Sequence, residues 1–149
     1  MLGVGQVLRG DDAAGVLTAQ RLCARLADRP RGPAPLLVIE AGVALENTLA
    51  ELRRFAPNLA LVVDAVAADM PVGTVRLFSP YGSLNTAMST HALPLDLFAR
   101  YLWRELTCPT VLLGIRTGQA EWGAPPSPGV AHAADEIAAQ LTVISATCA

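Results

Sequence analysis

The sequence has no long hydrophobic run, although 52% of its 149 residues are hydrophobic. The apolar stretches LLVI, LALVV and TVLLGI are four to six residues long, whereas a membrane helix needs roughly 20. We therefore interpret these stretches as buried strands and expect no membrane association.

Cysteine is also scarce. The chain has three, Cys23, Cys108 and Cys148, without CxxC or zinc-finger spacing, so we predict reduced thiols and no disulfide framework. The first dozen residues are glycine-rich and acidic, which is unlike a secretory signal. Together these features predict a cytoplasmic protein.

No strongly basic segment stands out. The chain has 11 basic and 13 acidic residues and a net charge of -2. The basic residues are scattered apart from RLCARLADRPR, which is typical of the solvated face of a helix. This pattern gives no support to nucleic-acid binding.

What the sequence does have is a regular alternation of strand-like and helix-like segments. The predicted strands are residues 1–7, 36–41, 58–66, 73–80 and 110–115, and the predicted helices are residues 13–28, 45–57, 95–106 and 130–144. The alternation predicts an α/β fold over residues 1–149: a single three-layer domain with about five mostly parallel strands and helices on both faces. The alternating pattern of GTVRLFSP allows an antiparallel edge strand.

Acidic residues follow several of the predicted strands. Asp12, Glu40 and Asp64 come at strand ends, and His91 lies in the loop before the third long helix. In open α/β sheets, ligands collect beyond the carboxyl ends of the strands. A divalent metal such as nickel or zinc could be bound by the two carboxylates and one imidazole of Asp12, Asp64 and His91. Three protein ligands would leave coordination positions on the metal open for a substrate.

Each of these residues also has a structural interpretation. Asp12 could cap a helix, although Asp11 could take that role. Asp64 could cap a turn after its strand, and His91 could be a core histidine bonded to the backbone.

A dinucleotide site is a further alternative, because Gly3 and Gly5 form a GxG after the first strand and Glu40 ends the second. The third glycine of that motif is replaced by Leu8. Two aspartates at the start of a helix would also repel a pyrophosphate. The opening turn is therefore more suited to a cation.

Six blocks of sequence resemble, in order, the hydrogenase maturation proteases, the endopeptidases that trim the large subunit of nickel-iron hydrogenases. The blocks are GVGQVLRGDDAAG, ALENTLAELRRFAP, LVVDAVAADMPVGTVRL, STHALPL, LLGI and EWGAPPSP. The resemblance runs over nearly the whole chain and is closest to the branch that matures formate-hydrogenlyase-type cytoplasmic hydrogenases.

This resemblance implies a substrate, a metal and a set of residues. The partner would be the large-subunit precursor of a nickel-iron hydrogenase, cut by a monomeric enzyme at a C-terminal extension. Nickel would be contributed by that precursor, with no tightly bound cofactor in the protease. Asp12, Asp64 and His91 match the nickel-contacting positions, and the catalytic candidates are Asp12 and Glu40, the latter as a general base that orients water.

The chain departs from the family pattern at Gln6, Ala13 and Glu40. A docking module that binds nickel-loaded precursor without cutting it, or a hydrolase that holds its own zinc, would also fit the residues. The loop RTGQAEWGAPPSPG carries Trp122, which could either anchor a substrate or pack against the fold.

Overall fold

The computed structural model describes residues 1–27, 29, 32–33, 35–81 and 95–147 of the chain. Within these residues, five strands form one sheet: β1 Leu2–Val4, β2 Ile39–Gly42, β3 Ala60–Val66, β4 Val75–Phe78 and β5 Thr110–Arg116. The α-helices are α1 Ala14–Leu26, α2 Leu49–Phe55, α3 Leu95–Leu106 and α4 Pro128–Thr147.

The strands lie in the order β2-β1-β3-β5-β4. Neighbouring strands are parallel except at the edge, where β4 runs antiparallel to β5. Both the mostly parallel sheet and its antiparallel edge strand are confirmed. Because β1, β3 and β5 are parallel neighbours, the loops that follow them emerge at one edge of the sheet, here called the carboxyl edge.

Two apolar clusters cover the two faces of the sheet. On one face, side chains of α2 and α3 pack on β1, β3 and β5, including Leu52, Phe98 and Val62. On the other face, α1 and α4 pack on the same sheet through residues such as Leu22 and Ile137. The predicted three-layer arrangement is therefore confirmed, with successive residues of β3 facing opposite clusters.

Two glycines allow α1 to approach the sheet closely. A Cβ added at Gly3 of β1 would lie 2.2 Å from the carbonyl oxygen of Gly15, and one added at Gly15 would lie 2.0 Å from the carbonyl oxygen of Val63. No side chain fits between these backbones. The start of α1 is therefore fixed directly against β1 and β3 at the carboxyl edge.

Several elements differ from the prediction in their bounds. Strand β1 covers Leu2–Val4 of the predicted residues 1–7, because the chain turns at Gly5 with a φ of +139°. Strand β2 begins at Ile39 rather than at residue 36, because it pairs only with the short strand β1. The helix predicted from residue 45 begins as a 3₁₀ turn over Leu45–Thr48 before α2. In the described part of the chain, no helix combines the length and apolar character that a membrane span requires.

Candidate active site

Asp12 lies in the 3₁₀ turn Gly10–Ala13 that leads into α1. The side chain is buried, with 5% of the residue exposed. The backbone carbonyl oxygen of Asp12 lies against Gly5. A Cβ added at Gly5 would be 1.8 Å from that oxygen, and Gly5 has a φ of +139°. A glycine after β1 is therefore what lets the chain turn tightly enough to place Asp12 at the carboxyl edge.

Asp64 comes from a different element, the second half of β3. It is 3% exposed, and its Oδ1 accepts a hydrogen bond of 2.7 Å from the Ala65 amide. The turn that carries Asp12 packs against β3. Both carboxylates have interaction partners, as the burial of a charged group requires. Asp12 and Asp64 therefore lie on neighbouring elements near the carboxyl edge.

The third predicted metal ligand, His91, lies outside the described residues. Among residues 1–27, 35–81 and 95–147, no three His, Cys, Asp or Glu side chains are close enough to share a metal ion. The described part of the predicted site therefore consists of the Asp12 and Asp64 carboxylates.

Glu40 is placed differently from the prediction. Strand β2 continues to Gly42, so the expectation that Glu40 ends the strand is wrong. The Glu40 side chain is exposed and accepts a hydrogen bond of 2.9 Å from Gln20 of α1. Residues that alternate along a strand face opposite sides, and Ile39 and Ala41 face the α2 and α3 cluster. Glu40 therefore lies on the α1 face.

Asp64 lies on the other face of the sheet. Its neighbours two residues away in β3, Val62 and Val66, both belong to the α2 and α3 cluster, and the side-chain period of a strand is two. Glu40 and Asp64 thus project from opposite faces. The structure does not bring Glu40 together with Asp64.

Asp11 has a role that the sequence did not suggest. Rather than capping α1, its fully buried carboxylate accepts hydrogen bonds from the loop between β5 and α4. The donors are the amides of Gly118 at 2.6 Å, Gln119 at 3.1 Å and Ser127 at 2.5 Å, and the Ser127 hydroxyl at 3.0 Å. Asp11 therefore joins the start of α1 to the start of α4.

These contacts alter the acidity of Asp11. Burial raises the pKa of its carboxyl group, but the hydrogen bonds from Ser127, Gly118 and Gln119 outweigh burial and hold the pKa below its usual value. Hydrogen bonds to the charged form favour that form. Asp11 is therefore an ionised structural residue at neutral pH. The one sequence signal for this role is the pair of adjacent aspartates before a helix.

The thiols are poorly suited to nucleophilic catalysis. Cys108 is buried, and desolvation raises the pKa of its thiol. Desolvation and the negative charge of Glu40 also raise the pKa of the Cys23 thiol. Because the thiolate is the reactive form, a raised pKa lowers reactivity. Neither described cysteine has the setting of a cysteine-protease nucleophile.

Comparison with known proteins agrees with this geometry. The family model for hydrogenase maturation protease (HycI) matches residues 17–143, a segment that includes Asp64 and His91 and begins after Asp12. The hydrogenase 3 maturation protease of Escherichia coli K12 is 32% identical over 117 residues, which cover 78% of this chain and 70% of that protein.

Solved structures show the same fold. The crystal structure of the NiFe hydrogenase maturation protease HycI from Thermococcus kodakarensis superimposes with a TM-score of 0.84 at 31% identity, covering 96% of this chain and 88% of that one. The solution structure of the endopeptidase HycI from Escherichia coli gives a TM-score of 0.77 at 27% identity, covering 96% and 88%. These similarities establish that the chain belongs to the hydrogenase maturation protease family.

Proposed function

We propose that this protease removes the C-terminal extension of a nickel-iron hydrogenase large-subunit precursor, and that Asp12, Asp64 and His91 ligate nickel already inserted in that precursor. The observation that supports the proposal is that two buried carboxylates, Asp12 and Asp64, lie on neighbouring elements near the carboxyl edge. Nickel is here part of the substrate.

Physical chemistry supports a cation partner for this pair. Burying two carboxylates carries a desolvation cost, and a divalent cation bound between them would offset it. Oxygen and imidazole ligands suit a borderline metal such as nickel. Nickel bound both by the precursor and by the protease would fix the scissile peptide at the carboxyl edge, which supplies positioning.

The geometry favours Asp12 over Glu40 as the catalytic carboxylate. Asp12 lies beside β3 at the carboxyl edge, whereas Glu40 is exposed on the α1 face and bonded to Gln20. Bound nickel could polarise the scissile carbonyl as a Lewis acid. Asp12 would then position the attacking water, which makes the protease one that uses a carboxylate.

The setting of the reaction is also a proposal. Cys23 and Cys108 are free thiols, a state that persists in a reducing compartment. We therefore assign the reaction to the cytoplasm, with one monomer acting on each precursor. Size-exclusion chromatography with light scattering checks the monomer.

The test is an intact-mass measurement of a cognate large-subunit precursor incubated with the protease, with and without nickel loaded. We expect loss of a C-terminal peptide in the nickel-loaded sample only. Equal cleavage of both samples would contradict nickel recognition. Binding without cleavage would instead indicate a docking module.

Metal analysis of the purified protease separates the remaining alternative. Stoichiometric zinc that survives dialysis against a chelator would indicate a hydrolase with its own metal. His91→Ala and Asp64→Asn, both expected to abolish cleavage while the thermal unfolding midpoint stays near that of the parent, test the ligand set.

A further inference from the structure

The loop of residues 117–127, here called the Trp122 loop, is fastened to the turn after β1. The Gly123 amide donates a hydrogen bond of 2.8 Å to the Leu8 carbonyl, and the Asp11 amide donates one of 3.0 Å to the Gln119 carbonyl. The Arg9 guanidinium reaches the Ala120 carbonyl at 3.2 Å. Two segments far apart in sequence thus form one surface beside Asp12.

The loop is also braced internally. The Gln119 side chain donates to the Pro125 carbonyl at 2.9 Å and accepts from the Glu121 amide at 2.9 Å. Together with the four hydrogen bonds that Asp11 accepts, these contacts hold the Trp122 loop along its length. Its conformation is therefore set before any substrate arrives, which lowers the entropic cost of binding.

Apolar side chains project from this fixed backbone into solvent. Trp122 is 69% exposed, more than any other large hydrophobic residue in the described ranges, and Leu8 and Val7 on the adjoining turn are 65% and 52% exposed. A tryptophan this exposed contributes little to packing. Tryptophan on a preorganised surface is, however, a frequent source of binding energy in protein recognition.

We propose that Trp122 contacts an apolar side chain of the precursor's C-terminal segment, and that Asp11 is the positioning residue that holds Trp122 beside Asp12. This inference rests on the proposed function and deepens it. This surface adjoins the proposed site, because the turn that carries Leu8 leads directly to Asp12. Asp11 acts through the loop and does not touch the substrate.

The two tryptophans of the chain offer a matched pair for a test. Trp103 is 55% exposed, but it lies near the end of α3, shortly before β5 begins, and so at the edge of the sheet opposite the Trp122 loop. We would label the full-length protease with 5-fluorotryptophan, assign the two ¹⁹F signals with Trp103→Phe, and add nickel-loaded precursor. The Trp122 signal should shift while the Trp103 signal stays; an unmoved Trp122 signal in a sample that binds precursor would overturn the contact.

Kinetics test the same contact and the role of Asp11. We expect Trp122→Ala to raise KM about tenfold with kcat within about twofold, and Trp103→Ala to change neither. Asp11→Asn should raise KM as well, and should add little to KM when combined with Trp122→Ala, because both changes remove one contact. Additive effects on KM would overturn the positioning role.

Two further measurements keep the outcomes separate. If Asp11→Asn does not fold, Ser127→Ala takes its place in the combination with Trp122→Ala. Ser127→Ala removes one of the four hydrogen bonds to Asp11 and keeps the Asp11 carboxylate. Precursor affinity, measured apart from cleavage, distinguishes the two proposals. If the parent and Trp122→Ala bind and cut the precursor equally well, the inference about Trp122 is refuted and the proposed function stands. If the parent neither binds nor cuts the precursor, both are refuted.

Discussion

The two edges of the sheet differ in chemistry as much as in position. At the carboxyl edge, Asp11, Asp12 and Asp64 are buried with 0%, 5% and 3% exposure. At the opposite edge, where β1, β2 and β3 begin, lies a cleft of about 540 Å³. Residues such as Leu36, Phe55 and Leu59 line it, and none of its lining side chains is ionisable.

This difference shows that the chemistry of the lining residues, rather than the presence of a cavity, indicates a candidate reactive site. A cavity lined by apolar side chains can bury a ligand, and the one ionisable group among the lining residues, the Met1 amino group, donates a hydrogen bond of 2.6 Å to the Leu37 carbonyl. Buried carboxylates are costly and persist where structure or function holds them. The carboxyl edge is therefore where the proposed hydrolysis finds its charged groups.

The largest effect on cleavage is expected from removing the charge of Asp12. We predict that Asp12→Asn lowers the cleavage rate of nickel-loaded precursor by about 100-fold or more, because an amide is a poor metal ligand and a poor base. Intact-mass kinetics measure the rate, and circular dichroism should show an unchanged fold. Parent-like cleavage by this variant would remove Asp12 from the site.

The next largest effect, on stability and on cleavage, is expected at Gly5, whose backbone lies against that of Asp12. An alanine at Gly5 would place its Cβ 1.8 Å from the Asp12 carbonyl oxygen at a φ of +139°. We predict that Gly5→Ala lowers the free energy of unfolding by about 3 kcal/mol or more, combining overpacking with backbone strain, and lowers cleavage with it.

Gly123 is the matched control for that variant. It has a φ of +76° but no atom within 4 Å of an added Cβ, so Gly123→Ala should cost only about 1 to 2 kcal/mol. Urea unfolding of both variants measures the difference. Equal losses would show that the contact with Asp12 does not constrain Gly5.

A smaller effect, and one that depends on pH, is predicted at Asp11. Removing the charge with Asp11→Asn should cost about 1 to 3 kcal/mol at neutral pH, because its hydrogen bonds are charge-assisted. The folded-state pKa of Asp11 is lowered, so its contribution is complete above the unfolded pKa of about 3.9 and is lost as pH falls through the folded value.

Unfolding measured at pH 7 and at pH 3 checks this sign. The gap in stability between parent and Asp11→Asn should be larger at pH 7 than in acid. A gap that stays constant over this range would contradict an ionised Asp11 in the folded protein.

Much of the fold could be predicted from periodicity. Apolar residues at helical spacing predict a helix over residues 95–106, which are the bounds of α3, and Phe98 and Leu102 on that spacing are buried. The continuous apolar runs of β3 and β5 likewise indicate strands covered on both faces. Strand β2 was misjudged because its length depends on its pairing partner β1, which periodicity does not report.

The site was less predictable than the fold. Asp12 and Asp64 could be placed because parallel strands deliver their ends to one edge. The face on which Glu40 lies could not, since a shift of one residue in a strand's register changes the face. The contacts between Asp11 and Ser127 join residues 116 positions apart, and no local pattern encodes such a contact.

The smallest effect is expected at the apolar cleft. Leu59 lines it and is 55% exposed, so Leu59→Ser should change the free energy of unfolding by about 0.5 kcal/mol or less and leave KM and kcat within about twofold of the parent. The contrast between the two edges depends on this near-null result. A clear rise in KM for Leu59→Ser would mean that the precursor reaches across to the amino-terminal edge, and that the apolar cleft takes part in binding the substrate whose chemistry occurs on the other side of the sheet.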